Sequence, residues 1–138
     1  MVIADTGFWL ALLNKDDRHH EAAVKAFEQI HELLVTTWPV VTETCHLLLR
    51  TLGVAAEQEF LKAWLQGGYS IQDLSEKDAP RILRLMKDYA DLPMDLADAS
   101  LVILAERLED GRILSTDERD FRTYRWKNRR PFKNLLLV

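Results

Sequence analysis

Short apolar runs alternate with longer helical patterns along almost the whole chain, and this alternation constrains the fold more than any other feature. The runs are "MVIAD", "LLVTT" (residues 33–37), "YSIQDL" and "RILST". Such short, largely apolar segments, bounded by turn or cap residues, read as buried strands. Between them lie "TGFWLALLN", "HHEAAVKAFEQIHEL", "VVTETCHLLLRTL", "AAEQEFLKAWLQ", "EKDAPRILRLMKDYADL" and "LPMDLADASLVILAERL". These read as helices. Strands separated by helices are joined by crossovers, so they pair in parallel beneath helices on both faces.

Local signals place the ends of these elements. Thr37 is a suitable N-cap, with Pro39 in the first turn behind it. Gly53 and Gly67–Gly68 stop the two helices that precede them, and Ser75 caps the helix predicted over 76–92. In the second helix Ala22, Val24, Phe27 and Ile30 fall near one face. A short helical segment is predicted around "ERDFRTYRW", followed by a final apolar "LLLV".

The 138 residues are expected to form a single domain, 1–138, with a core of ordinary size. No apolar run approaches the roughly 20 residues of a membrane span. The amino-terminal run lacks a basic lead and a small-residue cleavage site, so a secretory signal is not expected. The lone cysteine, Cys45, precludes an internal disulfide, fits a reducing cytoplasm, and reads as a core-facing helix residue. Charge is unevenly distributed. From Arg112 onward eight Lys and Arg face three Asp and Glu, whereas the preceding residues carry ten against nineteen. A dominant basic patch, as in a nucleic-acid-coating protein, is absent. An acidic body that holds metal beside a basic tail that holds phosphates fits this balance, and so does a merely solvated basic surface.

The acids repay closer reading. In parallel sheets ligands bind beyond the carboxyl ends of the strands. Asp5 ends the first strand. Glu43 lies in the first two turns of the helix after the second. Asp95 and Asp98 open the apolar helix before the fourth strand, and Asp117 follows that strand. Carboxylates converging at one edge repel one another strongly unless divalent cations sit among them. An all-oxygen set selects Mg²⁺ or Mn²⁺ rather than Zn²⁺. Each acid also has an ordinary use. Asp95 can be an N-cap, with Asp98 at N3 completing a capping-box-like pair. Glu43 can be a solvated first-turn acid, and Asp117 can begin a turn, as can Ser115 and Thr116. Asp5, ending a buried strand, is the hardest to explain as decoration.

Together "IADTGFWLALLNKDDRHHEAA", "TTWPVVTETCHLLL", "PMDLADASLVILAERL" and "ILSTDERDF" resemble the PIN-domain family, and within it the VapC-type toxins, across nearly the whole chain. The resemblance implies an α/β/α sandwich around a mostly parallel sheet of about five strands. It also implies a Mg²⁺- or Mn²⁺-dependent endoribonuclease whose acids fall on Asp5, Glu43, Asp98 and Asp117. Asp95, Thr6 and Ser115 fall on supporting positions. In-line attack by a metal-bound hydroxide would leave a 5′-phosphate and a 3′-hydroxyl. The implied partners are RNA, a cognate antitoxin that places a basic side chain among the acids, and a second copy of the chain. Trp9, Trp38 and Trp64 leave room for such a dimer face. His19–His20 reads as a capping and surface feature. Arg119, Arg122, Arg125, Lys127, Arg129, Arg130 and Lys133, interleaved with Tyr124 and Trp126, form either a phosphate guide with stacking platforms or a solvated rim over buried aromatics.

Two enzymatic alternatives fit less well. A haloacid-dehalogenase-like phosphatase needs a second aspartate two residues after the first, where this chain has Gly7. A dinucleotide site needs G-x-G-x-x-G after the first strand, which "DTGFWLA" lacks. A non-catalytic module whose acidic pocket receives a partner's arginine remains open from sequence.

Overall fold

The computed structural model describes residues 1–137. Its first half runs β1 (Val2–Ala4), α1 (Thr6–Leu13), α2 (His20–Gln29), β2 (Leu34–Thr37), α3 (Trp38–Thr51), α4 (Val54–Leu65) and β3 (Tyr69–Gln72). The second half runs α5 (Ala79–Asp88), α6 (Leu96–Leu108), β4 (Arg112–Leu114), α7 (Glu118–Thr123), β5 (Arg125–Trp126), β6 (Arg130–Pro131) and β7 (Lys133–Asn134). Five strands form one all-parallel sheet in the order β3-β2-β1-β4-β7. Every residue of β1 and β2 is buried. Successive strand side chains point to opposite faces, so helices must cover both. The sandwich expected from the alternation is the one observed.

α6 is the central helix. Its residues from Ala97 to Ala105 are all buried, which is why its sequence carries no polar stripe. It packs on β1 and β2 and against α3 and α5. At the end of β2, Ser100 Oγ donates to the Ala97 carbonyl at 2.6 Å and pairs with Thr37 Oγ1 at 2.6 Å. Thr37 therefore occupies the N-cap of α3 by backbone geometry, but its hydroxyl ties β2 to α6 instead of capping.

Several sequence expectations need correction. The buried face of α2 runs through Ala23 and Ala26, whose small size lets it approach α1, and Phe27 is left exposed. The helix predicted over 76–92 starts with a 3₁₀ turn, Glu76–Asp78, and ends at Asp88. Ser75 does cap it, through a reciprocal box with Asp78. α7 stops at Thr123 instead of running to Trp126. The chain turns extended at Tyr124, and the Arg125 guanidinium donates to the carbonyls of Arg122, Thr123 and Tyr124, ending the helix. β5 and β6 then form a two-stranded antiparallel ribbon. The fifth sheet strand is the polar pair Lys133–Asn134, just before the final apolar run, whose last residue lies outside the described residues. Trp9 belongs to the core, while Trp38 and Trp64 are exposed and meet edge to face at 5.4 Å.

Candidate active site

The sheet order reverses direction between β1 and β4, the place where parallel α/β sheets open a crevice at their carboxyl ends. Register sets Ala4 beside Leu114, and the Asp5 N–H donates to the Leu114 carbonyl at 3.0 Å. The residues that follow each strand are thereby forced together. Ser115 Oγ donates to Asp5 Oδ2 at 2.9 Å and accepts the Asp117 N–H at 3.0 Å. Asp5 Oδ1 takes the Thr6 N–H at 2.8 Å, making Asp5 the N-cap of α1. Close packing of the two turns leaves no room for a side chain at residue 7. A Cβ on Gly7 would lie 1.8 Å from Thr116 Oγ1. The second aspartate of a haloacid-dehalogenase-like site has no space there.

α6 contributes the third element of the edge. Asp95 caps it, accepting the Asp98 N–H at 2.8 Å, as its sequence context suggested. Asp98 does not complete a capping box. Its carboxylate turns inward, 9% exposed, and Oδ2 accepts a hydrogen bond from the Tyr124 hydroxyl at 2.6 Å. Carboxylate oxygens of Asp98, Asp117 and Asp120 lie within 4.8 Å of one another. Asp120 was not singled out in the sequence. It sits at N3 of α7, donating its N–H to the Asp117 cap, so it looks like any first-turn acid. Its spacing of three from Asp117 is the signal available. Asp5 and Glu43 stand outside this tightest triple. Both Glu43 and Asp117 are nonetheless close enough to Asp5 for their charges to raise its pKa.

The electrostatics follow from burial and like charge. Burial pushes the Asp5 carboxyl up to about 6. The hydrogen bonds from Ser115 and Thr6 oppose this, and the charges of Glu43 and Asp117 add to it. Asp98 is pushed up to about 8, first by burial, against the Tyr124 hydrogen bond, then by Asp5, Asp95 and Asp117. Asp120 is raised by burial and by Asp117, with Arg119 pulling the other way. Other acids in the chain, among them Glu32, Asp78, Glu106 and Glu118, have Arg partners in ion pairs. Among the described residues none of Asp5, Glu43, Asp98, Asp117 and Asp120 has such a partner. The Thr6 hydroxyl beside them is also buried without a hydrogen-bond partner. An all-carboxylate donor set, uncompensated by protein cations, fits a hard divalent ion.

The basic residues divide. Arg119, Arg122, Lys127, Arg129, Arg130 and Lys133 are exposed. Arg122 pairs with Glu118 and Lys127 with Glu109. Arg125 is committed to the end of α7, and Arg130 lies over the Trp126 ring at 5.2 Å. Tyr124 is fully buried and Trp126 is 6% exposed, its Nε1 donating to the Pro131 carbonyl. Neither ring can stack a base, so the aromatics belong to the core. The histidine pair serves the α1–α2 junction: His19 is at the start of α2 and His20 Nδ1 lies 2.7 Å from the Ala11 carbonyl.

A parallel sheet with its acids gathered at the β1/β4 switch point defines an α/β domain with a carboxylate centre. Residues 2–127 match the sequence model of the PIN domain, and the chain belongs to that family. It is 28% identical over 124 residues to ribonuclease VapC26 of Mycobacterium tuberculosis, covering 90% of this chain and 92% of that protein. Its fold is similar to that of the Mycobacterium tuberculosis toxin VapC20, described as cleaving the sarcin-ricin loop. The TM-score is 0.80 at 19% identity, over 86% of this chain and 92% of that one. No helix is long and apolar enough to cross a membrane among the described residues.

Proposed function

We propose that this chain is a metal-dependent endoribonuclease, the toxin of a toxin–antitoxin pair, acting in the cytoplasm as one nuclease domain over 1–138. The observation that carries the reading is the acid edge itself. Buried and half-buried carboxylates of a PIN domain crowd together at the β1/β4 crevice, with oxygens of Asp98, Asp117 and Asp120 within 4.8 Å and, among the described residues, no cationic side chain paired to them. Such a cluster would repel the phosphates of RNA. With Mg²⁺ or Mn²⁺ among the acids it attracts them.

Asp98 and Asp117 would hold the ion, with Asp120 beside them, and Asp5 and Glu43 completing the negative wall. When bound, the ion offsets the charge of the scissile phosphate and lowers the pKa of a water molecule. Ser115 orients two acids at once, one through its donor and one through its acceptor. Asp95 fixes the backbone that carries Asp98. Arg119, Arg129, Arg130 and Lys133, exposed along the tail, draw the phosphate chain toward the edge. The similarity to VapC26 and VapC20 supports RNA as substrate and an antitoxin as partner. A homodimer has an exposed apolar face available at Trp38 and Trp64.

The test is cleavage of labelled single-stranded RNA, including a sarcin-ricin stem-loop, by purified chain in Mg²⁺, Mn²⁺ or EDTA. Cutting that needs the ion and is lost in Asp98→Asn supports the reading. Cutting that persists in EDTA overturns its metal dependence. A folded chain that binds an antitoxin-like peptide but neither cation nor RNA is a partner-binding module instead.

A further inference from the structure

We propose that Tyr124 is a positioning residue for the acid centre: its phenol holds Asp98 by Oδ2 and so presents Oδ1 to a divalent ion. The proposal rests on the nuclease reading above and adds to it how one ligand is held ready. The hydrogen bond from the Tyr124 hydroxyl to Asp98 Oδ2 is 2.6 Å long and buried. Tyr124 itself has no exposed surface. Its ring is held edge to face by Tyr89 and Phe121, each at 5.1 Å, and Phe121 rests on Phe132 at 5.2 Å. The chain after it is pinned as well, because the Arg125 N–H donates to the Tyr89 hydroxyl at 3.0 Å. The donor cannot drift away from its carboxylate.

Asp98 is consequently clamped twice. Its main-chain N–H is taken by Asp95, and one of its oxygens by Tyr124. A free aspartate side chain samples several rotamers, and ordering it on cation binding costs affinity. Groups that hydrogen-bond a ligating carboxylate remove that cost in advance. Packing alone would be satisfied by phenylalanine, which fills the same space. The hydroxyl is the additional feature, and a buried hydroxyl requires an acceptor. The chain solves that requirement differently elsewhere: the buried Tyr69 hydroxyl donates to a main-chain carbonyl, that of Phe60, at 2.9 Å. Only the Tyr124 acceptor is a member of the acid edge.

The experiment is Mn²⁺ titration calorimetry on wild type, Tyr124→Phe, Asp98→Asn and the double variant, with thermal melts of the cation-free proteins. Tyr69→Phe, which also loses a buried hydroxyl, is the packing control. Tyr124→Phe is expected to weaken Mn²⁺ binding about tenfold or more. In the Asp98→Asn background it should change binding by less than about twofold, because the coupled partner is gone. Tyr69→Phe should lower the Tm and leave the isotherm in place. A Tyr124→Phe isotherm equal to wild type overturns the positioning role alone. Equal weakening with and without the Asp98 carboxylate also overturns it, assigning the effect to general packing. A folded wild type that binds no Mn²⁺ overturns the nuclease reading, and this proposal with it.

Discussion

The carboxyl edge of the sheet and the basic ribbon after it carry opposite charge, and they treat that charge in opposite ways. At the edge, Asp5 and Asp98 are buried and raised in pKa, without an ion-pair partner among the described residues. In the ribbon, Lys127, Arg129 and Arg130 are at the surface, and Lys127 is already paired with Glu109. A fold tolerates uncompensated buried acids only where something else repays them, whereas exposed arginines cost almost nothing. Charge that is expensive marks the centre.

The sharpest way to break this contrast is to neutralise one residue on each side. Asp98→Asn is expected to lower RNA cleavage on the order of 10³-fold in single-turnover assays, as loss of a central electrostatic group does. An equally large loss from Arg129→Ala would place the chemistry in the ribbon instead.

The glycines offer a second comparison. Gly7→Ala forces a Cβ to within 1.8 Å of Thr116 Oγ1, and Gly111→Ala forces one to within 2.3 Å of Trp126 Nε1. Each is expected to cost about 1–3 kcal/mol in denaturant melts, the usual penalty of overpacking. Gly7→Ala should also weaken Mn²⁺ binding, since it pries the β1 turn from the β4 turn. Gly111→Ala should leave that binding intact.

Above the ordinary carboxylate range the pH response should come from the edge, because the shifted acids elsewhere, such as Glu32 and Asp78, are lowered by their hydrogen-bond partners. Folded Asp5 titrates at about 6 and Asp98 at about 8, above their unfolded values near 4. Between those limits the folded chain holds more protons than the unfolded one. Cation-free stability therefore falls as pH rises from about 4 to about 8. Scanning fluorimetry should show the Tm declining across this window, more shallowly in Asp98→Asn, and saturating Mn²⁺ should offset the decline. Beside this edge stand the arginines of the ribbon. The smallest effect is reserved for them: Arg129→Ala with Arg130→Ala should cost a few-fold in RNA binding and flatten log K against log salt by about 1.4.

Much of this organisation can be read from residue order. The alternation of apolar runs with helical patterns specifies a parallel sheet, and strand-end logic leads to Asp5, Glu43, Asp95, Asp98 and Asp117, from which the family resemblance sets Asp95 apart as a supporting residue. What escapes is decided by tertiary contacts. β7 is two polar residues, Lys133 and Asn134, made a strand by pairing with β4 and not by their own preference. Helical periodicity runs on to Trp126, but Tyr124 leaves the helix to reach Asp98, a tertiary contact invisible in local pattern. Asp120 resembles an ordinary first-turn acid until α7 is set against the start of α6. The basic tail reads equally as guide or rim, and burial of Tyr124 and Trp126 decides that its aromatics serve the core.

The Ser115–Asp5 hydrogen bond joins residues 110 apart in sequence. That separation has a consequence in time. A ribosome adding about 5–20 residues per second finishes the first strand's acid several seconds before the hydroxyl that orients it exists. Asp98 and Asp117 are likewise synthesised late. Until β4 emerges and inserts beside β1, the nascent chain holds Asp5, Glu43 and Asp98 but lacks Ser115, Asp117 and Asp120, half of the crevice. An acid edge built this way is born unarmed, and is assembled only once β4 and the turn after it have been translated.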